Sequence, residues 1–347
     1  MENTAYHVFI GTYTEGTDSV GIYQCGMDAK GKLSVRCSGV RSKNPSYLAY
    51  DPQSGLVYAA NELADSACVQ TFSLEGDDGL RLIRSIEYPG NGLCHLSISP
   101  DGKWLVGANY GSGNVVFSQT DGHRKGSVWH KGKGVHPRQD HARVHQAQFL
   151  TNERIITVDL GLDQLLLYRL DPHKGLVPDD VQPRIQLDSG EGPRHFVLHP
   201  NGRWLYIVTE LMNHICYYQK SADTNQFEFA GKSLLLPEAV KDFCSAAEIK
   251  LSNDARFLFA STRGYDRIIR FRLDCCGNPC ERMEFPCYGQ EPRLFDFTPD
   301  GKFMLIANQK SNDVVVMPYG MQDGSLSKPA DILAVPSPSF VAAFCSK

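Results

Sequence analysis

Side chains able to move protons or hold anions recur in this chain at nearly equal intervals. At the start of one set of apolar runs stand His95, His145, Arg194, His195, Glu248 and Arg293. At the end of the runs that follow stand Glu62, Asn109, Asp159, Glu210, Arg263 and Gln309. The guanidiniums of Arg194, Arg263 and Arg293 offer planar donors suited to carboxylate or phosphate. His145, with an unperturbed pKa of about 6.5, can take a proton from water or return one to an oxygen. Glu210 can orient or polarise it, and a nearby arginine can stabilise the oxyanion that forms when a carbonyl is attacked. The sequence holds no Gly-x-Ser-x-Gly elbow, which argues against a serine acyl-enzyme. Water attack on an activated ester or lactone, with a small anionic molecule as ligand, fits this inventory best.

The intervals come from an internal repeat. An extended apolar run, a turn, a second apolar run and a polar pair recur in NPSYLAYDPQSGLVYAANE from Asn44 and GLCHLSISPDGKWLVGANY from Gly92. They recur again in GPRHFVLHPNGRWLYIVTE from Gly192 and EPRLFDFTPDGKFMLIANQ from Glu291, with looser copies from Ala142 and Ser245. Equivalent positions fall at Pro45, Leu93, Arg143, Pro193, Ala246, Pro292 and Pro338, spaced by 46 to 53 residues. That is the length of one four-stranded propeller blade. A third β-rich run follows each polar pair, from Asn114, Gln164, His214, Arg267 and Asp313, and a weaker fourth run precedes the next repeat. The N-terminal stretch around Tyr6–Cys25 reads as a blade without its innermost strand. Ser337–Phe344 reads as an innermost strand without its blade. Pairing the two closes an all-β, seven-bladed β-propeller as one domain over residues 1–347 and removes the open edges. The start of each first strand and the end of each second strand then share a face, so the polar set gathers at one mouth of the central channel.

Composition narrows the functional classes. The chain has 347 residues, 42% of them hydrophobic, with 35 Lys and Arg against 39 Asp and Glu, for a net charge of -4. No basic excess exists to neutralise a nucleic-acid backbone. No apolar run reaches the ~18 residues of a membrane-spanning helix. The first residues lack a basic and then apolar leader, and eleven cysteines are scattered through the chain, so reduced thiols in a cytoplasm are expected. Cys275, Cys276, Cys280 and Cys287 lack paired C-x2-C spacing and have no close histidine; a thiol-rich loop is expected rather than a metal site. No cofactor is called for, and a monomer or weak homo-oligomer is expected.

Several positions carry a second reading. Asn109, Asp159 and Gln309 are expected to cap turns through side chain to backbone bonds. His195 alternates away from Arg194 and is expected between sheets. His95 and Glu248 are expected to line the channel as further substrate contacts. The connection holding His136 and His141 is expected to be a solvated loop with its His136 end near the site. His141 competes with His145 as the base, with register favouring His145.

At these residues the chain resembles the bacterial 6-phosphogluconolactonase family of the cycloisomerase-2 type. The likeness rests on FIGTYT at Phe9, GANYGSGNV at Gly107, VDLGLDQLLLYRLD at Val158, GEGPRHFVLHPNGRWLYIVTEL at Gly190, ASTRGYDRI at Ala260 and ANQKSNDVVV at Ala307. It implies hydrolysis of 6-phosphogluconolactone to 6-phosphogluconate in the pentose phosphate pathway. The family also resembles the fungal carboxy-muconate lactonizing enzyme. That likeness implies His145 and Glu210 as catalytic groups and Arg194 and Arg263 as arginines of the same mouth. Muconate-type cyclisation remains an alternative activity. So does a non-enzymatic propeller that docks a protein, which predicts a large exposed apolar patch.

Overall fold

The computed structural model describes residues 4–75, 79–237, 240 and 243–345. Among the described residues there is no α-helix, and the strands form seven antiparallel sheets arranged as blades around an axis. The inner strands are Pro45–Asp51, Leu93–Ile98, Val144–Phe149, Pro193–Leu198, Ser245–Leu251, Pro292–Phe297 and Pro338–Cys345. Blades are numbered here in that order. The expected closure is present. Pro338–Cys345 pairs with Thr4–Thr12, so the seventh blade joins the two ends of the chain, with Tyr6 opposite Cys345. In the third and sixth blades the outer strand is broken, and both pieces pair with the same third strand.

Blade-on-blade packing sets the burial pattern. Second strands such as Trp204–Thr209 and Phe303–Asn308 are buried along their whole length, because each lies between two neighbouring sheets. Phe259 of the fifth blade and Phe295 of the sixth are fully buried in one apolar cluster; burying a side chain of this size is worth roughly 1.5–3 kcal/mol. Outer strands such as Leu80–Tyr88 are mostly exposed.

The turns between first and second strands repeat one piece of chemistry. The hydroxyls of Ser99, Ser252 and Thr298 donate to Asp101, Asp254 and Asp300 at 2.6–2.8 Å. Those carboxylates accept the backbone N–H two residues on, from Lys103, Arg256 and Lys302. The turns lie at the end of the ring opposite the polar set, and they fix the register that carries that set to the other end.

Candidate active site

The inner strands share a feature that alternation hides. Six of them lose register with their neighbour one residue after the start, skipping Ser46, Cys94, His145, Arg194, Arg293 and Ser339, and the fifth blade does so one residue later, skipping Ala247 and Glu248. These are β-bulges, which break the pleat and re-aim a side chain. The bulged positions therefore form a ring around one mouth of the channel, and that ring holds His145, Arg194 and Arg293.

Glu210, at the end of the fourth blade's second strand, is the hub of this mouth. Its Oε2 lies 3.1 Å from Arg194 Nε, and its Oε1 lies 2.5 Å from Arg138 Nη2 and 3.2 Å from Arg263 Nη2. Burial pushes the Glu210 carboxyl up, but the guanidiniums of Arg263, Arg194 and Arg138 outweigh it and hold the group down at about 2. Arg194 donates to the Ala247 carbonyl at 2.7 Å. Its burial, with Arg263 and Arg293 nearby, lowers it to about 10. Arg293, across the mouth, donates to the Tyr13 hydroxyl at 2.5 Å and lies 3.8 Å from Glu62. Tyr13 in turn donates to Glu62 at 2.6 Å.

His145 is buried, with its ring centre 5.4 Å from Tyr110 and 5.1 Å from His195. Burial lowers its pKa well below 6.5, and the charges of Arg194, His195 and Arg293 push the same way. The imidazole is thus neutral at neutral pH. His195 corrects the sequence expectation. It does not sit between sheets: it meets Glu248 at 3.1 Å and His95 at 5.7 Å between ring centres, side chains from two other blades. The bulge at Arg194 is the reason, since it interrupts the alternation that would have turned His195 away.

The structure does not gather all the candidates in one place. His145, Arg194, Glu210 and Arg263 meet at the mouth, and Arg293 stands across it with Glu62. His95 and Glu248 lie deeper. They line a cavity of about 340 Å³ with Tyr47, Lys250, Asp296 and Phe340, where the His95 and Tyr47 rings lie tilted against each other, 4.1 Å between centres.

Asp159 caps its turn, accepting the N–H groups of Gly161 and Leu162 as well as that of Arg143. Asn109 does not cap its own turn as expected: it donates to the Pro89 carbonyl of the preceding connection and to the Asn114 side chain. In the sixth blade that place belongs to Asn308, which donates to the Cys287 carbonyl, rather than to Gln309. The pattern is offset by one residue: Asn61, Asn109 and Thr209 pair within their sheets, and the residues after them, Glu62, Tyr110 and Glu210, meet the arginines of the mouth. Tyr110 is the second blade's counterpart of Glu210, and aligning Asn109 with Glu62 missed it. Arg138 was missed as well, because it lies outside the repeat. Its connection carries a short 3-10 turn at Pro137–Gln139, capped by His136, and Arg138 reaches Glu210 and the Tyr110 hydroxyl. His141 is separated from the mouth's imidazoles, with its ring held by Asp140 and the Gly111 carbonyl, each at 2.9 Å.

Cys275 and Cys276 are exposed at a turn, with sulfurs 3.9 Å apart, while Cys287 is buried and bonds the Gly289 carbonyl. Among the described residues no group of three or more His, Cys, Asp or Glu is arranged to hold a metal ion.

Known proteins share this architecture over the full ring. A 6-phosphogluconolactonase of Bacillus subtilis is 28% identical over 344 residues, covering 96% of this chain and 97% of its own. A 6-phosphogluconolactonase of Formosa agariphila is 28% identical, with 92% and 94% covered. Among solved structures, a periplasmic gluconolactonase of Pseudomonas aeruginosa superposes with a TM-score of 0.89 at 27% identity, covering 98% of this chain and 99% of that one. A Lactobacillus plantarum protein superposes with a TM-score of 0.90 at 25% identity, with 98% and 99% covered. The profile of the family described as "Lactonase, 7-bladed beta-propeller" matches residues 7–343, and the chain belongs to that family.

Proposed function

We propose that the mouth ringed by His145, Arg194, Glu210 and Arg263 hydrolyses a phosphorylated sugar lactone, 6-phosphogluconolactone, to its open-chain acid. The observation that carries this reading is a buried imidazole, its pKa pushed down by burial and by Arg194, with Arg194 and Arg263 sharing the Glu210 carboxylate at the same mouth. In the first step His145 takes a proton from water while the water oxygen bonds to the lactone carbonyl carbon. The carbonyl electron pair moves to oxygen, where Arg194 and Arg263 stabilise it. As the tetrahedral centre collapses, the ring C–O bond breaks and the imidazolium returns its proton to the departing oxygen, leaving a hydroxyl. The new carboxylic acid then ionises. Glu210 is committed to guanidiniums, so in this reading it sets their positions rather than supporting proton transfer at His145. The names of the Bacillus and Formosa relatives support the choice of substrate.

The test is acid release from freshly made 6-phosphogluconolactone, corrected for spontaneous opening, with product identification alongside. Accelerated opening to 6-phosphogluconate supports the proposal. Opening at the uncatalysed rate, or cyclisation of a muconate offered in its place, overturns it.

A further inference from the structure

The charges at the mouth do not balance, and the surplus is localised. Arg293 is matched by Glu62, and Arg143 by Asp140 at 2.7 Å. Around Glu210, three guanidiniums share a single carboxylate, which leaves two positive charges uncompensated. Glu248, a layer deeper, hydrogen-bonds His195, and its charge also acts on Arg194 and offsets part of that surplus. A mouth with more guanidiniums than carboxylates complements a phosphate monoester, which carries close to two negative charges at neutral pH.

The three guanidiniums are not equivalent. Arg194 and Arg263 project from strands, with side chains 3% and 12% exposed, whereas Arg138 comes from a loop and is 46% exposed. Its fork therefore opens to solvent above the buried pair. The loop beneath it is pinned. Gln139 is fully buried and donates to the Leu160 carbonyl at 2.8 Å and to Asp163 at 2.7 Å. Asp163 also accepts the N–H groups of Gly190 and Gly192 at 2.7 Å each, which ties the loop to the fourth blade. Arg138 thus combines a fixed base with a head free to trade Glu210 for another anion.

We propose that Arg138 is the specificity-determining residue that selects a phosphate-bearing lactone over its unphosphorylated counterpart. The inference rests on the lactonase reading of the mouth. The buried pair, Arg194 and Arg263, serves the carbonyl end of either substrate, and Arg138 takes the phosphate. A planar fork binds phosphate oxygens pairwise, which a lysine point charge does not reproduce.

The experiment compares wild type with Arg138→Ala and Arg138→Lys on 6-phosphogluconolactone and gluconolactone. For Arg138→Ala, kcat/KM on the phosphorylated lactone is expected to fall about 10–100-fold, the loss of a charge-assisted hydrogen bond, and mostly through KM. On gluconolactone it should change less than about threefold, the range of a rim substitution. Arg138→Lys should recover part of the loss. An equal fall on both substrates would show a merely structural brace for Glu210 and overturn the proposal, as would no change on either. Calorimetric binding of 6-phosphogluconate against gluconate asks the same question without turnover. If wild type opens neither lactone, the functional reading falls, and calorimetry still decides on Arg138: loss of phosphate preference in Arg138→Ala supports it, and retained preference overturns it.

Discussion

Burial sets the protonation of the groups at the mouth, and protonation sets what each can do. His145 is held neutral by burial and by the positive groups around it. Its base form therefore persists as pH falls through 6.5, and kcat/KM is expected to stay level there and drop only at more acid pH. A profile that halves at or above pH 6.5 would contradict this. On the alkaline side Arg194, lowered to about 10, sheds charge as pH rises through that value, so 6-phosphogluconate binding should weaken there. Glu210→Gln would leave three guanidiniums without their shared carboxylate; such a loss from a buried pair costs about 3–5 kcal/mol, readable as a lower denaturation midpoint. Residue types were legible in the sequence, but their partners were not. Nothing in the spacing says that Glu210 faces arginines rather than His145, because that depends on side-chain direction across a bulge. Tyr110 was readable from the parallel between Asn61-Glu62 and Asn109-Tyr110, and a one-residue offset hid it.

Strands and turns were the most legible elements, since turn chemistry at Ser99–Lys103 or Thr298–Lys302 marks each repeat locally. The bulges were not legible. Period-2 alternation assumes an unbroken pleat, and that assumption sent His195 to the wrong side. The connection that carries Arg138 has no period to read, and its placement depends on Asp163, which lies over twenty residues away in sequence. Asp163→Ala removes acceptors for Gln139, Gly190 and Gly192 together. Hydrogen bonds to charged groups are worth about 1.5–3 kcal/mol each, so amide exchange in residues 134–141 should accelerate well beyond tenfold. Unchanged exchange there would mean that Asp163 does not hold the loop.

At the scale of the whole molecule, closure and charge are the properties to test. Removing residues 338–345 deletes the seventh blade's inner strand with buried Phe340, Val341 and Ala342, and exposes the edge of Thr4–Thr12. The shortened chain is expected to lose cooperative unfolding, as an open array with two exposed edges would. Acid should destabilise the ring in two stages. His95, His145 and His195 sit below 6.5 in the fold, so under that pH the unfolded chain gains protons that the native one refuses. Glu210 and Glu248, held at about 2 against burial by their positive neighbours, add stability that is present above 4.5 and lost as pH falls from there toward 2. A melting temperature that is flat or rising from pH 7 to 5 would contradict the first stage. Exposed apolar side chains are spread over several outer strands, with Leu82 and Ile83 in the first blade, Phe229 in the fourth, Met283 in the fifth and Ile332 in the sixth. The ring itself was legible because its period is a property of the whole chain, whereas the mouth required the geometry of seven bulges.

The central claim is that a neutral imidazole at this mouth activates water toward a lactone carbonyl. Steady-state opening of 6-phosphogluconolactone by a His145→Ala variant tests it most directly. The expected result is a kcat lower by about 10²–10⁴-fold, the usual contribution of a general base, with KM nearly unchanged and the melting temperature close to that of wild type. Turnover at the wild-type rate in that variant would contradict the claim.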